Sequence, residues 1–334
     1  MKQLDLSWWQ WLAENRLLGA SHENLLDTLV THGFERQLGE QALAGLDAHP
    51  FILAARNHQK LQRKRESVVA NLQRLQSSAP GWAEIERREC PSVEIFEAEH
   101  LRPARPVILT DIGRDWPALQ GWQFDRLKAR FANQDVQIQA GRSSDPDFEL
   151  NKVDLVRTMR FGDFIDRILS DDEGNDCYLT AFNELSKRPE FASMVAEIGL
   201  LPPYVNRARL HTGLHIWIGG QSITPLHHDT VMLFHTQVVG RKRWRLISPL
   251  DTPKVYNYTG VFSKVDLDRL DLQRFPRMSD VRWIDLTLEP GETLFLPLGW
   301  WHQVNALAPS VSVSWTNLVV ANDYAFDNPD MRQW

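Results

Sequence analysis

The chain has 334 residues, 43% of them hydrophobic, enough for one large domain or two ordinary ones with a sizeable core. Its formal charge of −6, from 37 basic and 43 acidic side chains, argues against a chain-wide footprint for nucleic acid or an anionic membrane. Two cysteines far apart in sequence, Cys90 and Cys177, exclude a disulfide framework and a cysteine zinc motif. With no apolar run of membrane-spanning length and no signal-type apolar segment, a cytoplasmic setting is expected.

Residues 1–78 read as an N-terminal helical domain, because apolar positions recur at helical spacing between helix stops. Ser7 and Ser21 are expected N-caps, Gly19 and Gly33 expected stops, and Pro50 fits the first turn of a long helix reaching about Gln76. In that last helix Leu61, Val68, Leu72 and Leu75 make one stripe, and "KLQRKRE" reads as a solvated face. Trp8, Trp9 and Trp11 cannot all share one helix face, so some are expected to meet the rest of the protein or a second copy.

"SSAPGW" (Ser77 to Trp82) has linker composition, and a second domain is expected over 82–334. There "RPVILTD", "DVQIQAG", "DCYLTAF", "LHIWIGG", "HTQVVG", "KRWRLIS", "ETLFLPL" and "SVSVSWTNLVV" are strand candidates. Helices are expected at "FDRLKARFA", "FGDFIDRIL" and "FASMVAEIG". About eight strands with few βαβ alternations predict a mainly β fold with some α, an antiparallel sandwich or barrel of jelly-roll type.

The stretch "TPLHHDTVMLFHTQVVGRKRW" (Thr224 to Trp244) crowds three histidines beside one carboxylate. Along a strand His227 and Asp229 share a face, while His228 looks the other way. A third ligand must come from another strand. His302, in "EPGETLFLPLGWWHQVNA", is the candidate, whereas His22, His32, His49, His58 and His100 are expected at the surface and His211 and His215 precede the site. Two imidazoles and one carboxylate leave about half of an octahedral shell open, as in non-haem Fe(II) oxygenases. His235 has inward parity if the strand is unbroken and is expected to line the pocket. His-x-Asp alone is common by chance, so the weight rests on its context.

"LHIWIGGQSITPLHHD", then "QVVGRKRWRLISP", then "PGETLFLPLGWWHQV" resembles, over roughly Pro106 to Val320, the Jumonji C branch of the cupin superfamily. It is most similar to the asparaginyl-hydroxylase-like members and their bacterial relatives. The resemblance implies a double-stranded β-helix core in which His227, Asp229 and His302 are the catalytic, Fe(II)-binding residues. It also implies 2-oxoglutarate as cosubstrate, its far carboxylate received by Lys242 with Thr224 and Tyr178 assisting. The activity implied is that of a dioxygenase hydroxylating a side chain of a protein or peptide with O2, succinate and CO2 being coproducts. Where that family carries an asparagine and then an aromatic residue, this chain has Leu233 and His235, and a late asparagine position reads Ser314. Trp217, Trp300 and Trp301 are candidates for the chamber wall.

Two other readings stand beside this one: an N-methyl-lysine demethylase with the same iron chemistry, and a non-oxidative metal-binding cupin serving as a binding or sensing module. Lys242 discriminates against the second, which has no need of a buried cation. An interaction-only protein is disfavoured by the intact ligand set. The stretch after "SWTNLVV" is too short for the C-terminal dimerisation helices of the asparaginyl-hydroxylase-like enzymes, so the N-terminal helices are the expected interface of any homodimer.

Overall fold

The computed structural model describes residues 2–170, 174–180, 183–322 and 324. Its N-terminal part is built from α1 (Leu6–Leu18), α2 (His22–Thr31), α3 (Arg36–Ala48) and α4 (Pro50–Ser77). Ser21 caps α2, its hydroxyl accepting the Asn24 N–H at 3.2 Å, and Gly19 ends α1 in the left-handed region at φ 99°. The cap of α1 is Asp5 rather than Ser7. Asp5 accepts the Trp8 N–H at 3.0 Å while the Ser7 hydroxyl donates to the same carboxylate, which suits the positive end of the helix better than a hydroxyl does.

The chain divides into two units, Met1–Leu72 and Gln73–Trp334, and the division falls inside α4. The linker-like "SSAPGW" forms the turn that follows this helix. Leu12, Leu25, Leu29, Phe34 and Leu43 are the centre of the first unit. Trp8 packs edge-on against Trp11 and Phe34 at 5.4 and 5.0 Å, whereas Trp9 is exposed. Leu61, Val68, Leu72 and Leu75 are exposed as well.

The strands of the second unit are β1 (Glu86–Arg88), β2 (Val107–Leu109), β3 (Asp135–Ala140), β4 (Val156–Arg160), β5 (Cys177–Leu179), β6 (Leu214–Gly219), β7 (Ile223–His228) and β8 (Leu233–Val239). They continue as β9 (Lys242–Ile247), β10 (Asn257–Thr259), β11 (Phe262–Ser263), β12 (Trp283–Leu288), β13 (Thr293–Leu296), β14 (Trp301–Ala306) and β15 (Ser310–Trp315). One sheet runs β1-β2-β13-β8-β15-β6-β5-β3-β4 and the other β10-β11-β7-β14-β9-β12. Apart from the parallel β1–β2 pair the ladders are antiparallel, giving a jelly-roll sandwich.

All eight strand candidates contain strands, although Ala181 and Phe182 of "DCYLTAF" lie outside the described residues. The reading missed short or polar strands such as β1, β4, β10 and β11, and also β12, which completes the edge of the smaller sheet. The helices at Phe124–Phe131 and Phe161–Ser170 form as expected, but "FASMVAEIG" makes only a single α-helical turn, Ala192–Val195. The first two bury Leu127, Phe131, Phe164 and Ile168 in one core with Val136, Ile138 and Ile218 of the larger sheet.

Alternation along β8 separates two environments. Phe234 lies in that core, packed on Phe96 and Phe295, while Leu233 and His235 line a chamber also bordered by residues of the other sheet. Gly240, at φ +71°, makes the corner by which the chain passes from β8 in one sheet to β9 in the other. A Cβ there would lie 2.4 Å from the Pro309 carbonyl oxygen, so only glycine fits.

Candidate metal centre

β7 and β14 are paired antiparallel, with His302 opposite His227. That register brings the two imidazoles to a 4.1 Å centroid separation. Asp229 follows the end of β7, one oxygen 3.9 Å from His227 Nε2 and the other 3.7 Å from His302 Nε2. One potential ligand atom from each of the three residues lies within 4.8 Å of the others.

The outer ring nitrogens are already engaged: His227 Nδ1 lies 2.9 Å from the Pro225 carbonyl oxygen and His302 Nδ1 3.0 Å from that of Trp300. With Nδ1–H donating to a carbonyl, each Nε2 keeps its lone pair directed at the third residue, the tautomer metal coordination requires. Burial pushes the Asp229 carboxyl up and, as the largest effect, the His302 imidazole well down, in each case disfavouring the charged form. The donor set and the tautomers fit a divalent cation with open coordination positions.

His228 points away, as parity requires. It is buried against Trp301 at 4.7 Å. Trp300 and Trp301 do not line the chamber. Both are almost completely buried, Trp301 on the face of β14 turned from His302, among Leu226, Ile247 and Val255, and Trp300 between the sheets among Trp244, Leu288 and Leu296, with indole N–H groups donating to the Thr252 hydroxyl and the Ala104 carbonyl respectively. Trp217 does line it, and so does Trp244, which the sequence reading missed; Trp244 stacks on His302 at 5.6 Å and shares the inward parity of Lys242 on β9. His215 lines it too, while the side chain of His211 lies outside the described residues. Of the five N-terminal histidines only His100 departs from the expected surface position, being 1% exposed.

The chamber has a volume of about 280 Å³, and Tyr178, Thr224 and Lys242 all border it. Thr224 stands three residues before His227, which on a regular strand would turn it to the opposite face. The β7–β14 register slips between His302 and Val304, so β7 carries an extra residue around Pro225, and this bulge restores Thr224 to the chamber side. Lys242 Nζ donates to the Ser312 hydroxyl at 2.8 Å and to the Tyr178 hydroxyl at 3.4 Å. No carboxylate pairs with it among the described residues, and burial alone pushes the ammonium down to about 7. Burial likewise raises the Tyr178 hydroxyl, keeping it protonated and able to donate.

A jelly roll enclosing two imidazoles and a carboxylate that could together hold a metal ion, with a buried cation bordering the same chamber, has the architecture of a cupin. The chain belongs to the Cupin-like domain family, which it matches over residues 92–317. It is 30% identical over 239 residues to lysine-specific demethylase 8 of Xenopus tropicalis, covering 69% of this chain and 52% of that protein. It is 31% identical over 248 residues to lysine-specific demethylase JMJ30 of Arabidopsis thaliana, covering 70% and 55%. A shorter match, 41% identity over 115 residues, is to HSPB1-associated protein 1 of Homo sapiens, covering 31% of this chain and 23% of that protein. The chain spans a little over half the length of the two demethylase-named relatives. Kinship with the asparaginyl-hydroxylase branch stays an expectation of the motifs alone.

Proposed function

We propose that residues 82–334 form an Fe(II)- and 2-oxoglutarate-dependent oxygenase that hydroxylates a side chain of a protein or peptide and releases succinate and CO2. One observation carries the reading: three side chains able to ligate a metal, and a buried cation with no carboxylate partner among the described residues, border a single chamber. His227, Asp229 and His302 would hold the iron, which with 2-oxoglutarate supplies the activation of O2. Lys242 neutralises the far carboxylate of the cosubstrate, and the hydroxyls of Tyr178 and Thr224 help to replace its water. Trp217, Trp244 and Phe262 wall the chamber, keep water from the reacting carbon and fix the orientation of the substrate. Two free cysteines support action in a reducing compartment such as the cytoplasm.

The names of the relatives favour a second reading, demethylation of an N-methyl-lysine, which uses the same site. The name of the HSPB1-associated relative supports a protein partner. A non-oxidative binding module is disfavoured by Lys242, whose burial has no purpose without an anionic ligand. The test is anaerobic titration with Fe(II) and 2-oxoglutarate, followed by the metal-to-ligand charge-transfer absorption. A band in the wild type that is lost in Asp229→Ala supports the oxygenase, and its absence in the wild type refutes it. With a turned-over peptide, mass spectrometry separates the two chemistries: one added oxygen for hydroxylation, a lost methyl group with formaldehyde for demethylation.

A further inference from the structure

The chamber contains a polar group that the ligand set, Lys242 and its hydroxyl partners leave unused. His235 is 5% exposed, and its Nε2 has no hydrogen-bond partner. A buried orphan of this kind is destabilising, and native structures tolerate few of them unless a missing group completes them. Alternation along β8 turns His235 to the same side as Leu233, and both line the chamber that Lys242 enters from β9. The ring stands edge-on to Trp244 at 4.9 Å and 70°, which holds its orientation. Burial and then the Lys242 charge push its pKa well down, so it is a neutral imidazole and adds no second cation beside the first.

The donor count at Lys242 shows what is missing. Of its three N–H bonds, the Ser312 and Tyr178 hydroxyls take two, leaving one for a ligand. A carboxylate removed from water has about four acceptor sites on its two oxygens, so one N–H from Lys242 and the hydroxyls of Tyr178 and Thr224 still leave room for a further donor. Leu233, the other inward side chain of β8 at this level, cannot supply one.

We infer that His235 is a specificity residue for the cosubstrate, its Nε2–H donating to the same ligand carboxylate that Lys242 receives. This rests on the oxygenase reading above. It makes His235 a reader of the dicarboxylate end of the ligand, distinct from the metal-binding 2-oxo acid end.

Calorimetry on the full chain loaded with redox-silent Zn(II) tests this without turnover, comparing 2-oxoglutarate with pyruvate, a 2-oxo acid that lacks the far carboxylate. His235→Phe keeps an aromatic ring and removes the donor. It is expected to weaken 2-oxoglutarate about 10- to 100-fold, the range for a hydrogen bond to a charged group, and to leave pyruvate and Zn(II) affinity within about twofold. His235→Gln, which retains an N–H donor, is expected to restore most of the loss. Unchanged 2-oxoglutarate affinity in His235→Phe, or equal losses for both acids, overturns the inference while the oxygenase reading stands. A wild type that binds 2-oxoglutarate no more tightly than pyruvate overturns both.

Discussion

Replacing Lys242 with methionine removes a buried cation while keeping its aliphatic length. Burial lowers the ammonium from 10.5 to about 7, which corresponds to a cost on the order of 5 kcal/mol when the group is fully protonated. The folded value lies below the unfolded one, so the protonated group opposes folding. That cost is complete below about pH 7, is relieved as pH rises toward 10.5, and has fallen to about 2 kcal/mol by pH 9. Against the gain, the Ser312 and Tyr178 hydroxyls each lose a partner, at about 1 kcal/mol apiece. Lys242→Met is therefore expected to be more stable than wild type by about 3 kcal/mol at pH 6 and equal to it near pH 9. Urea unfolding of the metal-free protein, followed by tryptophan fluorescence at both pH values, measures the difference. The same variant should lose the stabilisation that 2-oxoglutarate confers on the metal-loaded wild type. A variant less stable than wild type at pH 6, or an advantage that does not shrink by pH 9, refutes the reasoning.

His228→Gln should bind Co(II) as tightly as wild type, whereas His227→Gln should lose at least about 100-fold; titration by visible absorption separates neighbours that face opposite ways. Trp301→Ala, at a fully buried site away from the chamber, should cost about 3–5 kcal/mol in denaturant unfolding and leave metal affinity unchanged. Gly240→Ala meets both a positive φ and the Pro309 carbonyl, so it should destabilise by more than about 1 kcal/mol and weaken 2-oxoglutarate by displacing Lys242, both readable by calorimetry. In the N-terminal unit, Arg16, Arg56 and His22 overcome the desolvation of Asp47 and hold its carboxyl at about 2 instead of 3.8. Its contribution, about 1 kcal/mol once solvent screening of these part-exposed ion pairs is allowed for, is present above pH 3.8 and disappears as pH falls through about 2, so Asp47→Asn should flatten that part of the acid unfolding curve.

Period and punctuation by themselves determined much of this protein. The stops at Gly19 and Gly33 and the cap at Ser21 lie where residues of low steric or local hydrogen-bonding cost must lie, because those conditions are set by the residue and its immediate neighbours. Strand alternation separated His228 from His227 for the same reason. Tertiary structure decided the rest. The β7 bulge set the side on which Thr224 stands, while packing on the opposite face of β14 took Trp301 out of the chamber and packing between the sheets took Trp300 into the core. The passage of β8 and β9 into different sheets set His235 beside Lys242 and Trp244 in one chamber. A local pattern assigns each side chain to a face of its own strand, whereas which faces meet depends on register and on the pairing of distant segments, and these are settled by the free energy of the whole core.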